Sequence, residues 1–495
     1  MNVDYGQIFL GLLPETIVVV TAFIALAVDL LFLREAPNRE RFGFALLVVA
    51  LGCIAAIVSL AQTSPPLRLL DGMLVLDGTA RFIKQVILVL TIITAVTSLE
   101  SNFTKHIGEY FALLLLAAIG MMLLVSSDNL LLIFVALELT SLPLYVLTAF
   151  NKSSVQSSEA ALKYFLFGSM SAAFTLFGLS LLYGISNEIT LGGIAAKLGG
   201  KLEPIFYVAL VTTVIGFAFK IAAAPFHLWA PDAYQGAPTP VAAFIASGSK
   251  VASFFVLARI MMAGFAGTEG SAAWREILPG WVPLLAALAI ASMVLGNIAA
   301  IAQSSVKRLL AYSAIAHAGY ALLAILSNTQ QAFGSLLYYV VTYAITALGA
   351  FAVVGVVENA SNGEALRDFA GLSRRAPVLS FCMLVFVLSL AGIPPLAGFF
   401  GKFYVFTAAA RSGTSLGLLW LVIAAIATSA ISLYYYLQVL KQVYVVSAAD
   451  NASPIRASWP VQISIVLLAI AVIALGCAPD LLLQKFTALQ TFAGL

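Results

Sequence analysis

The chain is short of charge. Asp, Glu, Lys and Arg together make up 9% of its 495 residues, where a soluble domain carries about 25%. That shortage excludes a water-soluble enzyme, and no stretch between the apolar runs is long enough for a separate soluble domain. Cysteine is scarce too. Cys53, Cys382 and Cys477 lie far apart, each in an apolar run, without the spacing of a zinc or iron–sulfur site. They read as small buried hydrophobes, and no metal site is expected. There is no glycine-rich nucleotide fingerprint after a strand and no HExxH. The net charge of +3 comes from scattered bases and carries no nucleic-acid message. MNVDYGQ has no basic stretch ahead of the first apolar run, so that run is expected to be a retained helix rather than a cleaved signal.

What the chain has is hydrophobic length: 62% of residues are hydrophobic and the mean hydropathy is +1.04. A helix needs about 20 apolar residues to cross the hydrocarbon core. By that measure the sequence predicts an all-α polytopic membrane protein of about fourteen spans: 8–33, 42–61, 78–99, 109–126, 129–150, 158–184, 204–224, 238–264, 281–302, 306–327, 331–357, 377–395 continuing brokenly to 410, 415–446 and 459–477. A short half-helix is expected over 225–235.

Charge in the loops orients the spans. The odd-to-even loops hold Arg34, Arg39, Arg41, Lys105, Lys152, Lys307, Arg308, Arg367, Arg374, Arg375, Lys441 and Arg456. The opposite loops and the tail hold only Arg68, Lys197, Lys201, Arg275, Arg411 and Lys485. The positive-inside rule then puts the first set in the cytoplasm and both termini outside. Glu15, Asp29, Asp77, Arg81, Arg259 and Glu358 fall near span ends and are expected to anchor at the interface.

Other charges fall where lipid would be. Lys220 ends one apolar run and Lys250 sits in the middle of the next, with Pro225, Pro231, Pro238 and Pro240 between them. A charge at the bilayer centre costs roughly 2.5–3.5 kcal/mol on insertion scales. Irregular backbone survives at that depth only inside protein or beside a wet cavity. Glu138 lies inside the fifth span and needs a partner, for which Lys220 is the natural candidate. Lys163 follows Glu159 by one helical turn, so the two share a face, either as an end-of-helix salt bridge or as part of a path. His227 follows Lys220 across the break and His317 sits mid-span. Each is either a packing residue or a proton relay. Lys402 opens the second half of the broken twelfth span, in GIPPLAGFFGKFYVF. The row could carry protons through water chains, and no covalent chemistry is visible.

Two stretches of the chain look alike. The sixth and eleventh spans match with Tyr164–Phe165 against Tyr338–Tyr339, the fifth and tenth with Tyr145 against Tyr320, and Lys220 has a counterpart in Lys402. Five spans followed by five more, each set with a broken member in fourth place, enter the membrane from opposite sides. That makes them inverted repeats, and interrupted segments at matching positions point to an ion site. The expected division is a three-helix extension (1–104), a first repeat (105–265), a second repeat (266–447) and a final helix (448–495).

At VALELTSLPLYVLTAF, SSEAALKYFLFGSMSAAF, FKIAAAPFHLWAPDAYQGAPTPV, SSVKRLLAYSAIAHAGY and SLAGIPPLAGFFGKF, the chain resembles the antiporter-like membrane subunits of respiratory complex I, the NADH–quinone oxidoreductase. The resemblance covers nearly the whole chain. It implies fourteen helices, two inverted five-helix repeats and proton translocation in a bacterial inner membrane. Glu138 would be the fifth-helix acid, Lys220 the broken-helix lysine, Lys250 the central lysine and Lys402 the end of the axis, with Lys163, Glu159, His227 and His317 as relays. It also implies other membrane-arm subunits as partners. NADH, flavin, iron–sulfur clusters and quinone would sit on those partners, with no cofactor in this chain. Subunits of multi-component sodium/proton antiporters share the Glu–Lys–Lys pattern and are the competing reading. A purely structural membrane-arm subunit is a third.

Overall fold

The computed structural model describes residues 5–62, 67–70, 72–100, 103–198, 203–412, 417–448 and 453–490. Lys201, one of the bases used for orientation, lies outside them. Among the described residues 13 helices are long and apolar enough to cross a membrane, so the chain is an all-α, multi-pass membrane protein. The spans are Leu13–Leu31, Asn38–Gln62, Gly78–Glu100, Ile107–Ser126, Leu130–Thr148, Val155–Ser186, Pro204–Ile221, Thr239–Gly264, Trp281–Ile301, Val306–Leu326, Gln330–Ser361, Leu419–Tyr444 and Trp459–Cys477. The remaining span is split into Pro377–Ala391 and Ala397–Arg411, each of 15 residues. A half that long reaches only about 22 Å, short of the ~30 Å hydrocarbon core. Counted as the broken twelfth, it makes Leu419–Tyr444 the thirteenth span and Trp459–Cys477 the fourteenth.

Polar side chains fix where several spans begin. Asn129 accepts from Leu131 and Leu132 N–H, Ser154 from Ser157, Ser305 from Arg308 and Thr329 from Ala332. Each satisfies donors that lipid could not. The eighth, tenth and eleventh spans form the centre; the most apolar window of the eighth is 100% buried within the chain. The second and sixth spans are peripheral and expose Leu47, Leu51, Ile54, Leu162, Leu166 and Phe177 outward. A short helix, Leu191–Leu198, a final helix, Asp480–Gln490, and hairpins pairing Leu67–Leu69 with Leu74–Leu76 and Ser271–Ala273 with Glu276–Leu278 complete the fold. None of these four was foreseen, because each is too short to leave a periodic signal.

Three expectations need correction. The charges near span ends do not reach out to headgroups. Asp29 takes two hydrogen bonds from Arg41, at 2.7 and 2.6 Å, and one from Gly108 N–H. Lys84 meets Glu15 at 2.6 Å, Arg259 meets Asp77 at 2.6 Å and Lys307 meets Glu358 at 2.7 Å. These pairs pin helices to one another inside the protein. Second, Cys53 and Cys382 are buried but Cys477 is exposed on the outer surface of the chain.

The third concerns register. The sixth and eleventh spans both have 32 residues and both end on an asparagine in the left-handed region, Asn187 (φ 53°) and Asn362 (φ 52°). Leu130 N–H bonds Ile189 O in one half of the chain, and Val306 N–H bonds Glu364 O in the other. Matching the spans end to end pairs Tyr164 with Tyr339, one residue off the sequence alignment. Lys402 is likewise not the positional counterpart of Lys220. Lys220 precedes its helix break by two residues, at Ala222, whereas Lys402 follows its own break at Gly392.

Candidate functional site

The seventh span stops because Ala222 turns left-handed (φ 57°) and Pro225 follows. Ala223 N–H closes the last turn on Ala218 O at 2.8 Å, a glycine-type helix end made here by alanine. The helix resumes as Trp229–Gly236, and Trp229 Nε1 donates back to Phe219 O at 3.1 Å. Lys220 is buried in the last turn. Its ammonium donates to the Ser141 hydroxyl on the fifth span, and Ser141 in turn donates to Leu137 O. Glu138 does not touch Lys220, contrary to the direct pair expected. The two groups, within electrostatic range, line one cavity of about 10 Å³ with Tyr145, Ser171, Thr175 and Phe219. That is room for about one water. Glu138 is half-buried and borders the outer flank beside the sixth span.

Lys250 sits at the centre of the molecule, on a helix that is not uniform. Ile245–Ser249 and Ile260–Gly264 are π-helical and bracket the α-helical Lys250–Arg259. Such bulges cost regularity and recur at functional sites. The Lys250 ammonium donates to Ala314 O at 2.7 Å and lies 5.6 Å from the Tyr343 ring centre. One turn along the tenth span stands His317, buried, with Nδ1 2.7 Å from the Tyr339 hydroxyl and Nε2 3.2 Å from that of Tyr436. Lys250, His317, Tyr339 and Tyr343 border another cavity of about 10 Å³.

At the second break Gly392 is left-handed (φ 87°), and Ile393 N–H closes on Leu388 O at 3.0 Å. Lys402 reaches back from the second half. It donates to Leu390 O and Ala391 O, both at 3.0 Å, and to the Ser429 hydroxyl at 2.8 Å. Its ammonium lies 5.3 Å from the Tyr320 ring centre, and Tyr320 packs edge-on to His317. Lys250, His317 and Lys402 therefore form one continuous polar row through the second half of the chain. No hydrogen bond among the described residues joins Lys220 to Lys250.

The Glu159–Lys163 pair forms at 2.7 Å, but it is largely exposed and is not alone. Lys163 also meets Asp232 at 2.8 Å, and Asp232 meets Arg308 at 2.5 Å. The cluster ties the second half of the broken seventh span to the sixth and tenth. His227 lies in the linker of the first break and borders neither small cavity. Sequence reasoning missed Asp232, Ser141, Ser429 and the tyrosines around His317. Only Ser141 left a signal, standing one turn after Glu138.

The buried cations sort into two kinds. Lys84, Arg41, Arg259 and Lys307 each rest on a carboxylate. Lys220, Lys250 and Lys402 rest on neutral oxygens instead. An ion pair cannot lose a proton without stranding its partner charge. An ammonium held by a hydroxyl or carbonyl can.

Comparison with known proteins agrees with this geometry. The family model described as "NADH:quinone oxidoreductase/Mrp antiporter, TM" matches residues 127–432. NADH-quinone oxidoreductase subunit N 2 of Acidobacterium capsulatum is 52% identical over 97% of this chain and 99% of its own length. A chain of respiratory complex I from Thermus thermophilus with bound aureothin superposes with a TM-score of 0.78 at 35% identity, over 95% of this chain and 98% of that one. A chain of the archaeal membrane-bound sulfane sulfur reductase superposes at 0.83 with 25% identity, over 98% and 96%. The chain belongs to the NADH:quinone oxidoreductase/Mrp antiporter membrane family and, within it, to the subunit N group of NADH-quinone oxidoreductases.

Proposed function

We propose that the chain translocates protons as a membrane-arm subunit of a bacterial NADH–quinone oxidoreductase. The path runs along Glu138, Lys220, Lys250, His317 and Lys402, coupled to redox chemistry elsewhere in the complex. The observation that carries the reading is the neutral seating of the three lysines, each at or beside an interrupted helix. Proton exchange there does not break an ion pair, and each small cavity has room for a water that could relay the proton. The Glu159–Lys163–Asp232–Arg308 cluster holds the first break in position at one end of the membrane. On this reading the active unit comprises two inverted repeats, 105–265 and 266–447, flanked by 1–104 and 448–495. The odd-to-even loops face the cytoplasm and both termini face the other side of the inner membrane. NADH, flavin, iron–sulfur clusters and quinone belong to partner subunits.

The test is Lys220→Met in the assembled complex, with NADH:quinone turnover and proton pumping followed in membrane vesicles. Loss of both is expected. Retained turnover with lower pumping would mean that this subunit can be bypassed. Wild-type values for both would return Lys220 to a structural role.

A further inference from the structure

Five of the loops that join odd to even spans meet around one large polar hollow of about 440 Å³. Its walls include Glu100, Asn151, Gln235 and Asn359. Among them stands the Lys307–Glu358 pair, which differs from the other buried pairs. In Lys84–Glu15 and Arg259–Asp77 both side chains are under 10% exposed. Here Lys307 is 3% exposed but Glu358 is 32% exposed and borders the hollow. One Glu358 oxygen takes Lys307, and the other accepts from the Thr239 hydroxyl. Thr239 is the first residue of the helix that carries Lys250. Beside it lies a cavity of about 10 Å³, bordered by Thr239, Pro240, Ala243, Phe351 and Gly355. Further along the same helix Ser247 donates to Ala243 O, one turn before Lys250.

We propose that Glu358 is the uptake port of the chain: a carboxylate with one side in the vestibule and one on the Lys250 helix, through which protons pass inward toward Lys250. The proposal rests on the proton-translocating reading above. In the step, Glu358 takes a proton from vestibule water and loses its ionic bond to Lys307. It then gives a proton to a water in the inner cavity and regains that bond. One proton enters, one leaves and no charge is stranded. Lys307 is a positioning residue; it keeps the port ionised between transfers. The titratable groups facing Glu358 are Lys307 from the tenth span and, across the hollow, Glu100 from the end of the third. The path from Thr239 to Lys250 is eleven residues of helix, about 16 Å, which a few waters and the Ser247 hydroxyl can bridge.

The experiment uses the whole complex in vesicles of each sidedness and compares Glu358→Gln, Glu358→Asp and Lys250→Met. Glu358→Gln is expected to slow proton pumping by roughly tenfold or more, to make it steeper in the pH of the vestibule side, and to be rescued largely by Glu358→Asp. A structural role would not shift the pH profile. Asn359→Cys supplies a second readout. A membrane-impermeant thiol reagent applied from the vestibule side should block pumping in the labelled complex relative to the unlabelled one, and should not block the wild type. Wild-type pumping and pH profile in Glu358→Gln, with Lys250→Met inactive, overturns the port and leaves the function standing. Full pumping in Lys250→Met overturns the function itself.

Discussion

The two broken helices solve the same problem with different residues. Each first half ends on a left-handed residue and closes its last turn with the same kind of hydrogen bond. Each leaves carbonyls at membrane depth that need a donor. At the first break the donor returning from the second half is neutral, the Trp229 indole on Phe219 O. Lys220 is then free to lean away onto Ser141. At the second break the returning donor is Lys402 itself, on Leu390 O and Ala391 O. So the first lysine is held across to a neighbouring span, close to an acid. The second is held within its own helix, far from any carboxylate. The first arrangement lets Glu138 act on Lys220; the second makes the backbone break itself the lysine's seat.

That contrast can be broken from either side. The largest effect is expected from Gly392→Val. A Cβ there would lie 3.0 Å from Lys402 Cδ and 3.2 Å from its Nζ, and the left-handed φ adds roughly 1–2 kcal/mol of strain. Pumping by the assembled complex should fall as far as in Lys402→Met. Ala222→Gly, at the matching place, should leave pumping intact and gain slightly in thermal stability. Next comes Glu138→Gln. It removes the acid facing Lys220, and NADH-driven turnover should drop without loss of assembly on native gels; unchanged proton uptake would rule out coupling between the two.

Ser141→Ala should come third. It takes away the only hydrogen-bond acceptor of the Lys220 ammonium among the described residues, at a cost of about 1–3 kcal/mol. Ser429→Ala should cost less, since Lys402 keeps two carbonyls. Equal pumping defects in the two serine variants would contradict the difference drawn here. The smallest change is expected for Trp229→Phe. Losing the indole bond should lower the unfolding midpoint by an amount equivalent to about 1 kcal/mol, with pumping close to wild type.

Much of this was readable in advance, and the limits are instructive. Span existence followed from hydrophobic length alone; the predicted 306–327 and the observed Val306–Leu326 differ by one residue. The break at Ala222–Pro225 followed from proline chemistry. Partners did not follow. Asp77 finds Arg259 across 182 residues and Lys163 finds Asp232 across 69. Periodicity tells which face of a helix a residue occupies, not which helix lies against it. That is why Glu15, Asp29, Asp77, Arg259 and Glu358 were read as interfacial anchors. It is also why Lys220 was paired with Glu138 rather than with Ser141. Lys402 was matched to Lys220 because both are lysines beside prolines. Their opposite approach to the break depends on side-chain direction, which spacing does not encode.

The π-helical turn at Ile245–Ser249 bears on how this sequence can change. Such a turn amounts to one residue more than an α-helix needs for the same rise. Removing a single codon there would let the turn relax to α geometry while Thr239 and the vestibule wall stay in place. Everything after it, Lys250 first, would rotate by about 100°. The ammonium would leave Ala314 O for a different neighbour although no side chain had been altered. At this point of the gene, a one-codon deletion is therefore expected to be less tolerated than most substitutions of the residues around it.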